Sequence, residues 1–129
     1  MASNSTEFHE AEELLRPQTK EHHRAIVSLM EELEAVDWYD QRIDATGDPE
    51  LRAILTHNRD EEKEHAAMTL EWLRRRDPEL DHFLRLYLFT EEPITGIEEK
   101  VEAEGNGAAT PAGHGASLGI GSLRGRSNR

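Results

Sequence analysis

Apolar residues recur every three or four positions along the first 90 residues, the spacing that places them on one face of an α-helix. The pattern predicts a first helical segment over about 6–44, in which Pro17 marks a kink or a restart because proline breaks an interior helical hydrogen bond. Two Asp-Pro pairs mark further helix starts and predict a long helix over 49–76 and a short one over about 78–89. No segment has the strict alternation of a β-strand, so the predicted class is all-α.

Acidic residues interrupt the apolar stripe of each long helix. At about 100° per residue, Glu32 falls in the middle of one stripe, and Glu62 and His65 fall three residues apart on the other. The short TGDP turn predicts an antiparallel hairpin with facing stripes, and both glutamates lie roughly 18 to 20 Å from the turn at 1.5 Å per residue. We therefore expect Glu32 and Glu62 to meet. The stripes comprise Ala25, Leu29, Glu32, Val36, Tyr39 and Ile43, and Leu51, Leu55, Asn58, Glu62, His65, Ala66, Thr69 and Leu73.

A carboxylate on an inward helix face needs a partner. Burying it unpaired is costly, so such a group shifts its pKa, forms an ion pair or binds a cation. Neither stripe contains Lys or Arg near this level, and the chain has no cysteine, so a metal would be held by carboxylate and imidazole. Glu-x-x-His alone is common as a surface pair. The second glutamate inside a stripe favours the metal site over that simpler interpretation.

One chain supplies half of a familiar kind of metal site. Di-iron carboxylate bundles use one Glu from each of two helices and a Glu-x-x-His from each of the other two. This chain offers one Glu and one Glu-x-x-His. A two-fold dimer would supply the other half, because the same residues meet across its axis. We therefore expect two hairpins to pair into a four-helix bundle around a metal site.

Composition supports association and restricts the classes of partner. Of 129 residues, 36% are hydrophobic and 33% are charged, which leaves little apolar material for an independent core. The formal charge is −12 and all 27 acidic residues precede Gly105, which argues against nucleic acid and suits cations. No apolar run is long enough for a signal peptide or a membrane span, so we expect a cytoplasmic protein without membrane contact.

Three segments of the chain resemble the encapsulated ferritin family. They are EELEAVDWYDQR (31–42), HNRDEEKEHAAMTLEWLRRR (57–76) and LYLFTEEPIT (86–95), and the similarity covers about residues 7–95. The resemblance implies a half-ferritin whose hairpins pair into a four-helix bundle around a di-iron ferroxidase centre. It also implies further assembly into a ring, typically a decamer, that oxidises Fe(II) to Fe(III) with two irons at each dimer interface.

The same resemblance implies which residues hold the iron. Glu32, Glu62 and His65 would be the ligands, two of each per site. Glu62 and its symmetry mate would bridge the irons, because they share a helix turn with the imidazole of His65, and Glu32 would be a terminal ligand. Carboxylates with one imidazole suit Fe(II) and stabilise Fe(III), although zinc, cobalt or manganese could occupy the same donors.

Four residues of the first helix would surround this site. The resemblance implies that Tyr39 lies close to the irons, with Trp38 beside it. Glu31 and Glu34 resemble the family's acidic entrance site, which draws metal towards the centre. Their positions alone fit a solvated helix face equally well, so the expected role of this pair depends on the resemblance.

The end of the chain differs from its body. We divide the chain into a helical half-ferritin domain (1–93), a flexible linker (94–117) rich in Gly and Ala at its end, and a C-terminal peptide (118–129). The sequence LGIGSLR resembles the targeting peptide that loads cargo into encapsulin shells, with Leu118, Ile120 and Leu123 as anchors. The expected partners are therefore a second copy of the chain and an encapsulin shell protein, which would place the protein inside an encapsulin nanocompartment.

Two other functions remain compatible with these residues. The same ligands could hold a structural ion, in a metal-sequestering protein or a metal-stabilised helical assembly without catalysis. The chain could also be a helical interaction module that binds no metal. Oxygen or peroxide consumption on addition of Fe(II) separates the enzyme from both alternatives.

Overall fold

All regular structure in residues 4–108, the part of the chain that the computed structural model describes, is helical. This confirms the predicted all-α class. The chain divides into two compact units, the first ending at Asp81 and the second beginning at His82. In order, the elements are a 3-10 turn at Glu12–Leu14 and the helices α1 (Pro17–Ala45), α2 (Pro49–Arg76), α3 (Pro78–Tyr87) and α4 (Ile94–Ala108).

Pro17 begins the first long helix. It occupies the first helical turn, where its missing N–H leaves no intrahelical bond unmade. As in any α-helix, the first bond comes from the fourth helical residue, here from the Lys20 N–H to the Arg16 carbonyl at 3.1 Å. The predicted helix over 6–44 is wrong for its first eleven residues, which hold only the 3-10 turn and irregular backbone. Pro17 was expected to mark either a kink or a restart of the helix, and the structure shows that a helix starts there.

A short connection joins α1 to α2 and makes them antiparallel. Asp48 is the N-cap of α2, and its Oδ1 accepts the Glu50 N–H at 3.0 Å. The guanidinium of Arg52 donates to the carbonyls of Ile43 at 2.8 Å and Thr46 at 2.6 Å, which satisfies acceptors at the end of α1. Its position on α2 thus ties the start of one helix to the end of the other, as the hairpin prediction requires.

The hairpin encloses few fully buried side chains. Within the first unit the buried apolar residues are Ile43, Ala66 and Leu73, all on the two predicted inward stripes. No side chain among the described residues is less than 2% exposed. The stripes are therefore placed correctly by periodicity, but two helices alone leave most inward side chains only half-buried.

The second unit contains a helix that the sequence pattern did not predict. α4 covers residues 94–108, the first part of the segment that we assigned to the linker, and Ile97 in this helix is buried. Gly96 and Gly105 hide this helix from periodicity, since glycine disfavours a helix interior by roughly 1 kcal/mol relative to alanine. The remainder of the linker and the peptide 118–129 lie outside the described residues.

No helix in the described range 4–108 is long and apolar enough to cross a membrane.

Candidate metal centre

Glu62 and His65 form a carboxylate–imidazole pair on the inward face of α2. Glu62 Oε1 lies 3.2 Å from His65 Nδ1, one helix turn away, and the side chains are 27% and 45% exposed. The contact is a hydrogen bond in the tautomer whose proton lies on Nδ1, because an ionised carboxylate accepts hydrogen bonds and cannot donate them. In the neutral ring the Nε2 lone pair is then available to a metal ion.

Glu32 reaches across from α1 to the hydroxyl of Thr69. Thr69 Oγ1 lies 3.1 Å from Glu32 Oε1 and 3.5 Å from Oε2, so one carboxylate oxygen is the main acceptor. The same hydroxyl lies 3.1 Å from the carbonyl of His65, one turn back along α2. Thr69 therefore connects Glu32 with the backbone of the helix that carries the other two candidate ligands.

The two glutamates do not share a partner within one chain. Glu62 contacts His65 whereas Glu32 contacts Thr69, and among residues 4–108 no group of three acidic or histidine side chains is placed to hold a metal ion. Side chains lean towards the N-terminus of their own helix. In an antiparallel hairpin the Glu32 side chain therefore leans away from the turn and the Glu62 side chain leans towards it. The prediction that the two glutamates meet compared only their distances from the turn along the helix axes and did not include this lean.

The residues expected around the site occupy the exposed and half-exposed positions of α1. Tyr39 is partly buried on the inward stripe, and its ring centroid lies 5.7 Å from the guanidinium carbon of Arg42. Trp38 is exposed, as are Glu31 and Glu34. The structure thus separates the inward Glu32 from its two acidic neighbours, as helical periodicity predicted.

An ion-pair cluster near the end of α2 was not predicted as such. Arg74 donates to both carboxylate oxygens of Glu71 at 2.7 Å and also pairs with Asp81, while Arg75 donates to Glu71 at 2.7 Å. These bonds, first those from Arg74 and then those from Arg75, lower the pKa of Glu71 to about 2. The carboxylates in turn raise the pKa of Arg74. The available signal in the sequence was the basic run 74–76, which follows Glu71 at helical spacing.

The chain is similar to a known protein family over the whole hairpin of α1 and α2. The family model of EncFtn-like proteins matches residues 7–91, which include all three candidate ligands. The chain belongs to the encapsulated ferritin family. This confirms the resemblance stated from the sequence.

One relative extends the comparison over nearly the whole chain, and two others cover about two thirds of it. The "Encapsulated ferritin-like protein" of Rhodospirillum rubrum is 64% identical and covers 97% of this chain and 93% of its own length. The "Encapsulin nanocompartment cargo protein EncC" of Myxococcus xanthus is 38% identical over 67% of this chain and 68% of its own length. The solved structure of protein ne0167 from Nitrosomonas europaea has a TM-score of 0.66 and 61% identity, and covers 67% of this chain and 96% of that one.

Proposed function

We propose that this member of the encapsulated ferritin family is an iron(II) oxidase whose site closes across a homodimer interface. The observation that carries the proposal is the placement of Glu32, Glu62 and His65 on the facing sides of α1 and α2. Each candidate ligand is directed inward and partly buried, yet one hairpin brings no three of them together. A second copy related by a two-fold axis would supply the missing donors.

The donor set suits iron as the substrate. Carboxylate oxygens and one imidazole per chain are ligands that bind Fe(II) and stabilise the harder Fe(III). Glu62 is the proposed bridging carboxylate, Glu32 a terminal one and His65 a neutral imidazole donor. Two irons held side by side would each release one electron, which together reduce oxygen to peroxide or peroxide to water. The protein's part is to hold both irons within reach of one oxidant.

Exposed apolar side chains support self-assembly of the hairpin. Ile26, Met30 and Leu33 recur on one side of α1, about a quarter turn from the inward stripe, and all are exposed. Ile54 and Met68 on α2 are also exposed. At about 100° per residue, the apolar set of α1 and the apolar set of α2 each lie to one side of their inward stripe. Because the helices are antiparallel, the two sets lie on opposite sides of the hairpin. Two different contact faces are what assembly of dimers into a larger ring requires.

An encapsulin shell is the proposed partner of the assembly. The Myxococcus xanthus relative is named as an encapsulin nanocompartment cargo protein. The Rhodospirillum rubrum relative covers 97% of the chain, so its similarity extends into the segment 118–129 that carries Leu118, Ile120 and Leu123. We therefore place the protein in the cytoplasm inside such a compartment, where the shell would store the oxidised iron.

Oxygen uptake after addition of Fe(II) tests the enzymatic proposal. Glu32→Ala, Glu62→Ala and His65→Ala should each abolish uptake, because each removes one donor of both half-sites. Glu64→Ala is the matched control, since Glu64 lies on the same helix but is exposed, and it should retain wild-type uptake. Tight iron binding by the wild type without consumption of oxygen or peroxide would instead establish the metal-sequestering alternative.

A further inference from the structure

The hydroxyl of Thr69 connects its own helix with a candidate metal ligand on the facing helix. It lies 3.1 Å from Glu32 Oε1 on α1 and 3.1 Å from the His65 carbonyl on its own helix. We infer that Thr69 is a positioning residue that holds the Glu32 carboxylate ready for a metal ion. The inference rests on the proposed function and assigns a role to a residue outside the ligand set.

Thr69 has one proton to share between its two acceptors. A hydroxyl carries a single O–H, so it donates to either the Glu32 carboxylate or the His65 carbonyl at a given moment. A bond to an ionised acceptor is roughly twice as strong as one between neutral groups. The Thr69 hydroxyl therefore donates its hydrogen bond to Glu32 while that carboxylate is charged. If a cation neutralised the carboxylate, rotation about the Cβ–Oγ1 bond would let the same hydroxyl donate to the His65 carbonyl instead.

The contact constrains the orientation of Glu32. Oε1 is the nearer acceptor at 3.1 Å, whereas Oε2 lies at 3.5 Å and is the weaker contact, which leaves it the freer oxygen for a cation. Thr69 is itself fixed, because its side chain is β-branched and its oxygen contacts the carbonyl four residues back. A fixed hydroxyl on one helix thus limits the rotamers of a flexible ligand on the other. Ordering a ligand before the metal binds lowers the entropy lost on binding.

Two substitutions separate the hydroxyl from the shape of the side chain. Thr69→Val replaces the hydroxyl by a methyl group of similar size, and Thr69→Ser retains the hydroxyl on a smaller side chain. Anaerobic titration with Co(II), followed by its ligand-field absorption, measures metal binding without any oxidation step. We expect Thr69→Val to weaken Co(II) binding by about tenfold, the lower end of the effect of removing a hydrogen-bond partner of a metal ligand. Thr69→Ser should bind as the wild type does.

Steady-state oxygen uptake gives the second measurement. Thr69→Val should raise the KM for Fe(II) more than it lowers kcat, because the change affects how the site receives the metal. Thermal unfolding without metal should be similar in all variants, which excludes a general loss of structure. If Thr69→Val does not fold, Thr69→Ala is a second variant without the hydroxyl and carries the better helix former.

The outcomes distinguish this inference from the proposal on which it rests. Equal Co(II) affinities and equal KM values for wild type and Thr69→Val overturn the positioning role while leaving the iron oxidase in place. Tighter Co(II) binding by Thr69→Val also overturns it, because the hydroxyl would then be holding Glu32 away from the metal. A wild-type chain that neither binds Co(II) nor consumes oxygen with Fe(II) refutes both.

Discussion

The three glutamates in the run RDEEKEH (59–65) have different environments because of their positions around α2. Glu61 and Glu64 are exposed, whereas Glu62 is partly buried and paired with His65 at 3.2 Å. A helical rotation of about 100° per residue is enough to separate them. The choice of Glu62 among these acids was therefore predictable. The bond from Thr69 to Glu32 was not, because it depends on the lean and rotamer of a side chain on the facing helix.

The exposed pair Glu31 and Glu34 supports a prediction about the approach of metal. Both carboxylates are exposed on α1 beside the inward Glu32, where they can attract Fe(II) without forming part of the site. Glu31→Ala combined with Glu34→Ala should raise the KM for Fe(II) severalfold at low ionic strength and leave kcat nearly unchanged, as measured by oxygen uptake. The difference from wild type should shrink in 0.5 M salt, because mobile ions screen exposed charges.

Glu13→Ala is the control for that experiment. Glu13 is an exposed acidic residue before α1, so its removal changes the net charge without altering the two proposed entrance carboxylates. It should leave the KM for Fe(II) close to the wild-type value. An effect as large as that of the double substitution would show that the overall acidic charge, and no local site, attracts the metal.

Element boundaries were predictable where capping chemistry marked them. Asp48 and Pro49 correctly marked the start of α2, and the basic residues before Asp77 marked its end at Arg76. The start of α1 was placed too early because residues 6–16 are polar with scattered apolar positions, a pattern that a 3-10 turn and a helix share. α4 was missed because its glycines weaken the helical signal. Periodicity identifies a long helix well and a glycine-containing one poorly.

The cluster around Glu71 supports a prediction about acid stability at the end of α2. The hydrogen bonds from Arg74 and Arg75 lower the pKa of Glu71 from 4.5 to about 2. A lowered carboxylate pKa stabilises the folded state above the unfolded pKa, and this contribution is lost as the pH falls through the folded value. Glu71→Gln should therefore be less stable than wild type at pH 6, and the difference should disappear as the pH falls from about 4.5 towards 2.

Urea denaturation followed by circular dichroism at 222 nm measures that difference across the pH range. Glu79→Gln is a suitable control, because Glu79 is an exposed carboxylate in the first turn of α3, outside the cluster around Glu71. Its stability difference from wild type should vary less between pH 6 and pH 3 than that of Glu71→Gln. A difference for Glu71→Gln that stays constant over the whole range would contradict the role assigned to these ion pairs.

The hairpin of α1 and α2 combines a shallow core with two exposed apolar sides. Its inward residues are mostly half-buried, and large apolar side chains such as Leu33 on α1 and Met68 on α2 are more than half exposed. A small hairpin with so little core would gain stability by burying such surface against another subunit. Association with a second copy would complete the proposed metal site and would also cover the shallow core.

Charge substitutions on the two sides should separate two kinds of contact. His65 and Met68 lie three residues apart on one side of α2, so Met68→Glu should disrupt the proposed interface around the metal ligands and abolish Fe(II) oxidation. Leu33→Glu lies on the opposite side and should reduce the size of the assembly while preserving oxidation in a smaller species. Native mass spectrometry with and without Fe(II) reports the subunit and metal stoichiometry of each variant. Loss of oxidation in both would indicate a single shared interface.

The C-terminal peptide supports a prediction about loading into a shell. Deletion of residues 117–129 should leave Fe(II) oxidation unchanged, because all proposed ligands lie in α1 and α2, and should abolish co-purification with a co-expressed encapsulin shell. The triple substitution of Leu118, Ile120 and Leu123 by alanine should have the same effect at full length, since it removes the proposed apolar anchors. Arg126→Ala leaves these anchors in place and should load normally. Shell association that persists after both the deletion and the triple substitution would show that the helical domain carries its own binding surface.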